Sequence, residues 1–204
     1  MLPIFLISII AAMVLSPYAI MLFRRHKTLK EIINIATRCG FKVKTLNRVV
    51  FFARNRGVKY DLLFVGKTRV YAVKLWSALY SDATLVVCPN NKYYVARGVS
   101  EPFDQKGRGE YHLRDVKKKA PETVIDFKIR GEREIVPVLL LYPAYKKIMQ
   151  RNGNDIAIYE QGDVVFGKKM YFADRFKGII FEDAEVALTS VSDIKAPLKQ
   201  SKKR

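Results

Sequence analysis

The sequence predicts an α/β chain: an N-terminal transmembrane helix, a helix–strand–strand–strand core with a mixed central sheet, and additional C-terminal strands. Three observations carry this prediction. Residues 1–23 contain no charged side chain, and Arg24-Arg25-His26-Lys27 follows at once. Residues 28–76 hold one helical pattern and three short β-type runs. Ile135 to Tyr142 is an unbroken apolar run, the composition of a strand buried on both faces.

An uncharged run of this length extends about 35 Å as a helix, against a hydrocarbon core of about 30 Å. It is longer than the apolar part of a cleaved signal and lacks an A-x-A-like cleavage site. Pro17 would kink such a span without forbidding it. All the flanking positive charge lies on the C-terminal side, so the positive-inside rule predicts a single-pass inner-membrane protein with its N-terminus outside and its domain in the cytoplasm. The expected organisation is an anchor at 1–23, a basic juxtamembrane segment at 24–27, an α/β domain at 28–183 with a hairpin and basic-loop insertion at 84–134, and a disordered basic tail at 184–204.

The charged residues, 37 basic and 19 acidic, give +18, all of it after Phe23. So large an excess implies an anionic partner: DNA or RNA, or the anionic face of a membrane. A small-molecule substrate is not indicated. Cys39 and Cys88 stand alone, without C-x-x-C or His-rich spacing, which suits two reduced, packed thiols.

The elements follow in order. Thr28-Leu29-Lys30-Glu31 has the form of a capping box, Ile32, Ile33, Ile35 and Ala36 make an apolar helix face, and Gly40 is the stop. Strands are expected at Val49 to Ala53, Tyr60 to Val65 and Val70 to Trp76, the last two joined by a tight turn at Gly66-Lys67. Thr84 to Cys88 and Tyr93 to Arg97 predict a hairpin across Pro89-Asn90-Asn91-Lys92. Glu101 to Lys119 is expected as an exposed loop. Short strands are expected at Ile156 to Tyr159, Val164 to Phe166 and Ile179 to Phe181.

The most informative local pattern is Tyr60-Asp61-Leu62-Leu63-Phe64-Val65-Gly66-Lys67-Thr68-Arg69-Val70-Tyr71-Ala72-Val73-Lys74. An Asp opening one strand and a Lys in its hairpin partner resembles the PD-(D/E)xK restriction-endonuclease-like superfamily, and within it the nuclease-related domain (NERD). There an Asp opens an apolar strand, a Gly turn follows, and the next strand ends in Glu-x-Lys. The resemblance spans residues 28–181, although its specific part is about fifteen residues long. It implies a restriction-endonuclease-like fold, with Asp61 in the metal-binding slot and Lys74 in the catalytic lysine slot. The Glu position, however, is Ala72. A Mg²⁺-dependent nuclease needs two carboxylates to hold its metal. The resemblance therefore implies impaired catalysis, unless Glu31 on the preceding helix supplies the second carboxylate.

Outside that constellation, Lys106, Arg108, Arg114, Lys117, Lys118 and Lys119 stand against only Glu110 and Asp115 and are the candidate nucleic-acid contacts. Arg24, Arg25, Lys27, Lys195, Lys199, Lys202, Lys203 and Arg204 are the candidates to face anionic lipid. A chain of this kind engages nucleic acid at the membrane, or serves as a membrane-associated scaffold for a protein partner. Gly66-Lys67-Thr68 is not a P-loop, because Asp61 stands where the first Gly belongs. His26 and His112 are too isolated for a metal site. Trp76, Tyr93 and Tyr94 suit core packing better than base stacking.

Overall fold

The computed structural model describes residues 2–47, 59–97, 118–120, 133–152 and 155–194. Helix α1 is continuous over Leu2–Arg38. From Pro17 onward its buried positions recur at helical spacing: Met21, Arg25, Leu29, Ile32 and Ala36 turn inward, while Ile20, Phe23, Arg24 and Lys27 lie on the opposite face. Its end is a Schellman motif. Gly40 takes φ +82°, its N–H donates to the Thr37 carbonyl at 3.1 Å, and the Phe41 N–H donates to the Ala36 carbonyl at 2.9 Å.

This helix overturns two expectations. Among the described residues no helix is long and apolar enough to cross a membrane, so the N-terminal transmembrane helix is not an element of this fold. The helix runs through the charge boundary without a break, and from Pro17 on it carries Arg24, Arg25, Lys27, Lys30, Glu31 and Arg38 while one face packs on the domain. Thr28 therefore sits inside a helix, not at its N-terminus, and the capping box is not formed.

The strands that follow are β1 (Lys42–Thr45), β2 (Leu62–Val65), β3 (Arg69–Trp76), β4 (Ala83–Cys88), β5 (Lys92–Arg97), β6 (Lys118–Lys119), β7 (Glu134–Leu141), β8 (Lys147–Asn152), β9 (Asp155–Ile158), β10 (Val164–Val165) and β11 (Lys168–Phe172). Helix α2 covers Ala173–Ile194. It takes in Ile179 to Phe181, expected as a strand, and residues 184–194, expected as tail. Phe176 and Ile180, four apart, both face the core, a helical spacing that three apolar residues in a row concealed. The expected strand Val49 to Ala53 lies outside the described residues.

The described strands form two sheets. The first, mixed, has the order β1-β2-β3-β7-β11-β10, antiparallel at both ends and parallel where β7 sits between β3 and β11. The second has the order β6-β5-β4-β8-β9. On one face of the first sheet Leu62, Phe64, Tyr71, Val73, Val136, Val138 and Leu140 pack against Leu29, Ile32 and Ala36 of α1 and Phe176 and Ile180 of α2. On the other face Trp76, Leu139, Leu141 and Met170 pack against Leu85, Val87, Tyr93 and Ile148 of the second sheet. The result is three layers, helices on sheet on sheet. β7 is buried on both sides, which accounts for its unbroken apolar run.

Two turns follow from their residues. Asn90 and Asn91 take φ 59° and 55° between β4 and β5, a conformation that asparagine tolerates better than most residues. Phe166 and Gly167 take φ 52° and 70° between β10 and β11. An aromatic residue is uncommon there. Phe166 is held by packing, 5.4 Å from Trp76 and 6.0 Å from Tyr93 between ring centroids.

Candidate functional site

Asp61 and Lys74 meet inside the protein. The Asp61 peptide is fixed first: its N–H donates to the Val73 carbonyl at 2.8 Å, and its carbonyl accepts from the Leu46 and Asn47 N–H groups at 2.9 and 3.1 Å. This ties the ends of β1 and β2 to the middle of β3. The side chain then points to the face of the first sheet away from the helices. The Asp61 Oδ1 accepts from Asn47 Nδ2 at 2.7 Å, and Oδ2 accepts from the Leu75 N–H at 2.9 Å. The Lys74 Nζ lies 3.3 Å from both carboxylate oxygens. Both side chains are buried, with 2% and 3% of their surface exposed.

A second buried lysine completes the cluster. Lys168 opens β11, one residue before the Lys169–Val138 pair, so it lies in the same cross-sheet row as Pro137 and Ala72. Its Nζ donates to the Phe166 carbonyl at 3.3 Å and sits 5.6 Å from the centroid of the Tyr60 ring. Burial, and then the neighbouring Lys74 charge, lower its pKa from 10.5 to about 8. Ala72 is fully buried and packs with Tyr60 and Leu63. Where the resemblance implies a second carboxylate there is a methyl group, and across Pro137 from it there is an ammonium.

This donor set does not fit a divalent cation. The Asp61 carboxylate already accepts an amide, a backbone N–H and an ammonium, and the neighbouring charge is cationic. Among the described residues no group of three or more His, Cys, Asp or Glu side chains is placed to hold a metal. Glu31 is on the helix layer, on the other side of the sheet from Lys74. Its Oε1 accepts from Lys177 Nζ of α2 at 2.9 Å, and Asp174 accepts from the same group at 3.1 Å. Burial pushes the Lys177 ammonium down, but the bonds to Glu31 and Asp174 outweigh it and hold its pKa above the ordinary value.

The remaining candidates are dispersed. Arg24 and Lys27 are exposed, whereas Arg25 is buried on the inward stripe of α1. Lys118 and Lys119 form β6, antiparallel to β5, with Lys119 directly across from Lys92 and Lys118 across from Tyr93. Lys92 and Lys119 are exposed. Lys106, Arg108, Arg114 and Lys117, and the tail residues Lys195, Lys199, Lys202, Lys203 and Arg204, lie outside the described residues. Trp76 and Tyr93 pack in the core with centroids 4.6 Å apart and ring planes inclined at 44°, and Tyr94 is buried too. Cys39 and Cys88 are free thiols.

Sequence reasoning missed Lys168 and Asn47. The signal for Lys168 was present: Phe166-Gly167 makes a two-residue turn, and the register it sets turns Lys168 and Met170 to the same buried face. Asn47 has no such signal, because its role depends on where Asp61 arrives. No protein-family model matches the chain, and no curated protein or solved structure matches it either.

Proposed function

We propose that this chain is a nuclease-related-type α/β domain that holds nucleic acid by its backbone and does not cleave it. The observation that carries the proposal is the lysine pair at the edge of the second sheet. Lys92 and Lys119 are exposed and directly opposed across β5 and β6. Two exposed cations side by side on one sheet edge are placed to meet neighbouring phosphates of a polyanion. The edge continues in sequence into Lys117 and Lys118, within a chain of net charge +18. Lysines presented this way contact phosphates and read no bases.

The saturated Asp61 carboxylate supports the second half of the proposal. Hydrolysis of the nuclease type needs a metal held by open carboxylate oxygens, and this carboxylate serves as a strand-joining knot. The test uses the full chain with labelled single- and double-stranded DNA and RNA. Binding falls steeply with salt, and Lys92→Glu/Lys119→Glu flattens the log–log salt slope by about 0.7–0.9 for each phosphate that is no longer neutralised. No cleavage appears with Mg²⁺ or Mn²⁺. Absence of any shift at about 150 mM salt overturns the binding half. Cleavage that Asp61→Asn abolishes overturns the other.

A further inference from the structure

The outward face of α1 presents apolar and basic side chains together. Phe23 is 71% exposed, Ile20 54% and Tyr18 39%. Helical spacing puts Ile20, Phe23, Arg24 and Lys27 within one arc, opposite the stripe formed by Met21, Arg25, Leu29 and Ile32. Ala19, Ile20, Phe23, Arg24, Lys27 and Tyr142 line an open groove of about 530 Å³ there. Residues 17–27 include no acidic side chain.

We propose that this face docks on an anionic phospholipid surface, with the helix lying against the headgroups and not across the bilayer. Three features select that occupant. Large apolar side chains beside basic ones, with an aromatic among them, match the boundary between acyl chains and headgroups. The charge is complementary: Arg24 and Lys27 flank Phe23, so phosphates would be met where the ring enters. The inward burial of Arg25 leaves the basic residues of this turn on a single side, which a planar partner needs. The nucleic-acid edge at Lys92 and Lys119 is on the second sheet, so neither surface depends on the other.

The test is co-sedimentation of the full chain with phosphatidylcholine vesicles, with and without about 30% phosphatidylglycerol. Wild-type protein binds the anionic vesicles, and each basic residue removed weakens binding about fivefold, or about 25-fold for Arg24→Gln/Lys27→Gln. Ile20→Ser/Phe23→Ser weakens binding at least about tenfold on the same vesicles. Both pairs are exposed, so each variant keeps the wild-type melting temperature and nucleic-acid shift. Equal binding to neutral vesicles, or wild-type affinity in both variants, overturns the proposal. So does a chain that ignores vesicles but self-associates in sedimentation equilibrium until Ile20→Ser/Phe23→Ser abolishes it, because the face then belongs to a second copy.

Discussion

Replacing Lys168 by methionine should make this protein more stable at neutral pH, and the size of the gain follows from the site. Lys168 is 2% exposed, and its pKa is lowered from 10.5 to about 8, by burial first and by Lys74 second. In the unfolded chain the same ammonium titrates at its ordinary value. Between about 8 and 10.5 the unfolded chain therefore binds more protons than the folded one, and stability rises with pH across that window. Below it both states are charged, and the whole cost of burying the charge is present. At about 1.36 kcal/mol per pH unit this cost is about 3 kcal/mol. Methionine keeps the length and loses the charge, but it forfeits the hydrogen bond to the Phe166 carbonyl, worth about 1 kcal/mol. The net gain at pH 7 is about 2 kcal/mol. Urea denaturation of wild type and Lys168→Met at about pH 7, 8.5 and 10.5 measures it, and the difference between them cancels the other titrating groups. Tyr71, whose pKa is pushed up to about 12 mainly by burial, stays neutral throughout the window. The gap should close at about pH 10 and reverse above it, where the wild type keeps its hydrogen bond and no longer buries a charge. A variant less stable than wild type at neutral pH, or a gap that does not change with pH, refutes the reasoning.

Asp61→Asn removes a buried carboxylate paired with Lys74 and should cost about 3–5 kcal/mol, seen as a lower urea midpoint. Asp61→Asn/Lys74→Met should recover most of that loss, and a double variant no better than the single one would show that the ion pair is not the coupled unit. At Gly66 a Cβ would stand 2.6 Å from Phe41 Cε1 and 3.0 Å from the Arg69 carbonyl oxygen. Gly66→Ala should therefore lower stability by about 1–3 kcal/mol through displacement of a core ring. Gly40→Ala meets open space and should cost only the backbone strain of its positive φ, about 1–2 kcal/mol. Combining Gly66→Ala with Phe41→Leu should give less than the sum of the single losses, and strict additivity would argue against a shared contact.

The sequence revealed what local pattern controls. The helix stop at Gly40, the β2–β3 hairpin about Gly66, the β4–β5 hairpin about Asn90-Asn91 and the buried strand β7 all follow from turn residues and apolar periodicity. The first described strand, Lys42–Thr45, was not expected, being a four-residue run too short and too basic to stand out. The failures lie where structure outside the local pattern decides the outcome. Ile179-Ile180-Phe181 fits a strand until Phe176 and Ile180 are seen to share one buried face. Thr28-x-x-Glu31 fits a capping box until the helix is found already under way. Within the site, Asp61 and Lys74 were visible because they flank one hairpin. Lys168, far along the chain from both, joins them only through the parallel pairing of β7 with β11.

The order of the strands has a consequence for folding and for dissection. The second sheet takes β4, β5 and β6 from the segment before β7, and β8 and β9 from the segment after it. Its central parallel pair joins Thr84 to Lys147 while the first sheet joins Arg69 to Glu134, so the two closures interlock along the chain. Among the described strands, no single cut of the chain separates the two sheets, because β4 pairs with both β5 and β8. Both sheets depend on pairings between residues far apart in sequence, which makes the search for them slow. The interleaving predicts a single cooperative unfolding transition, with fluorescence from Trp76 and far-ultraviolet dichroism lost together.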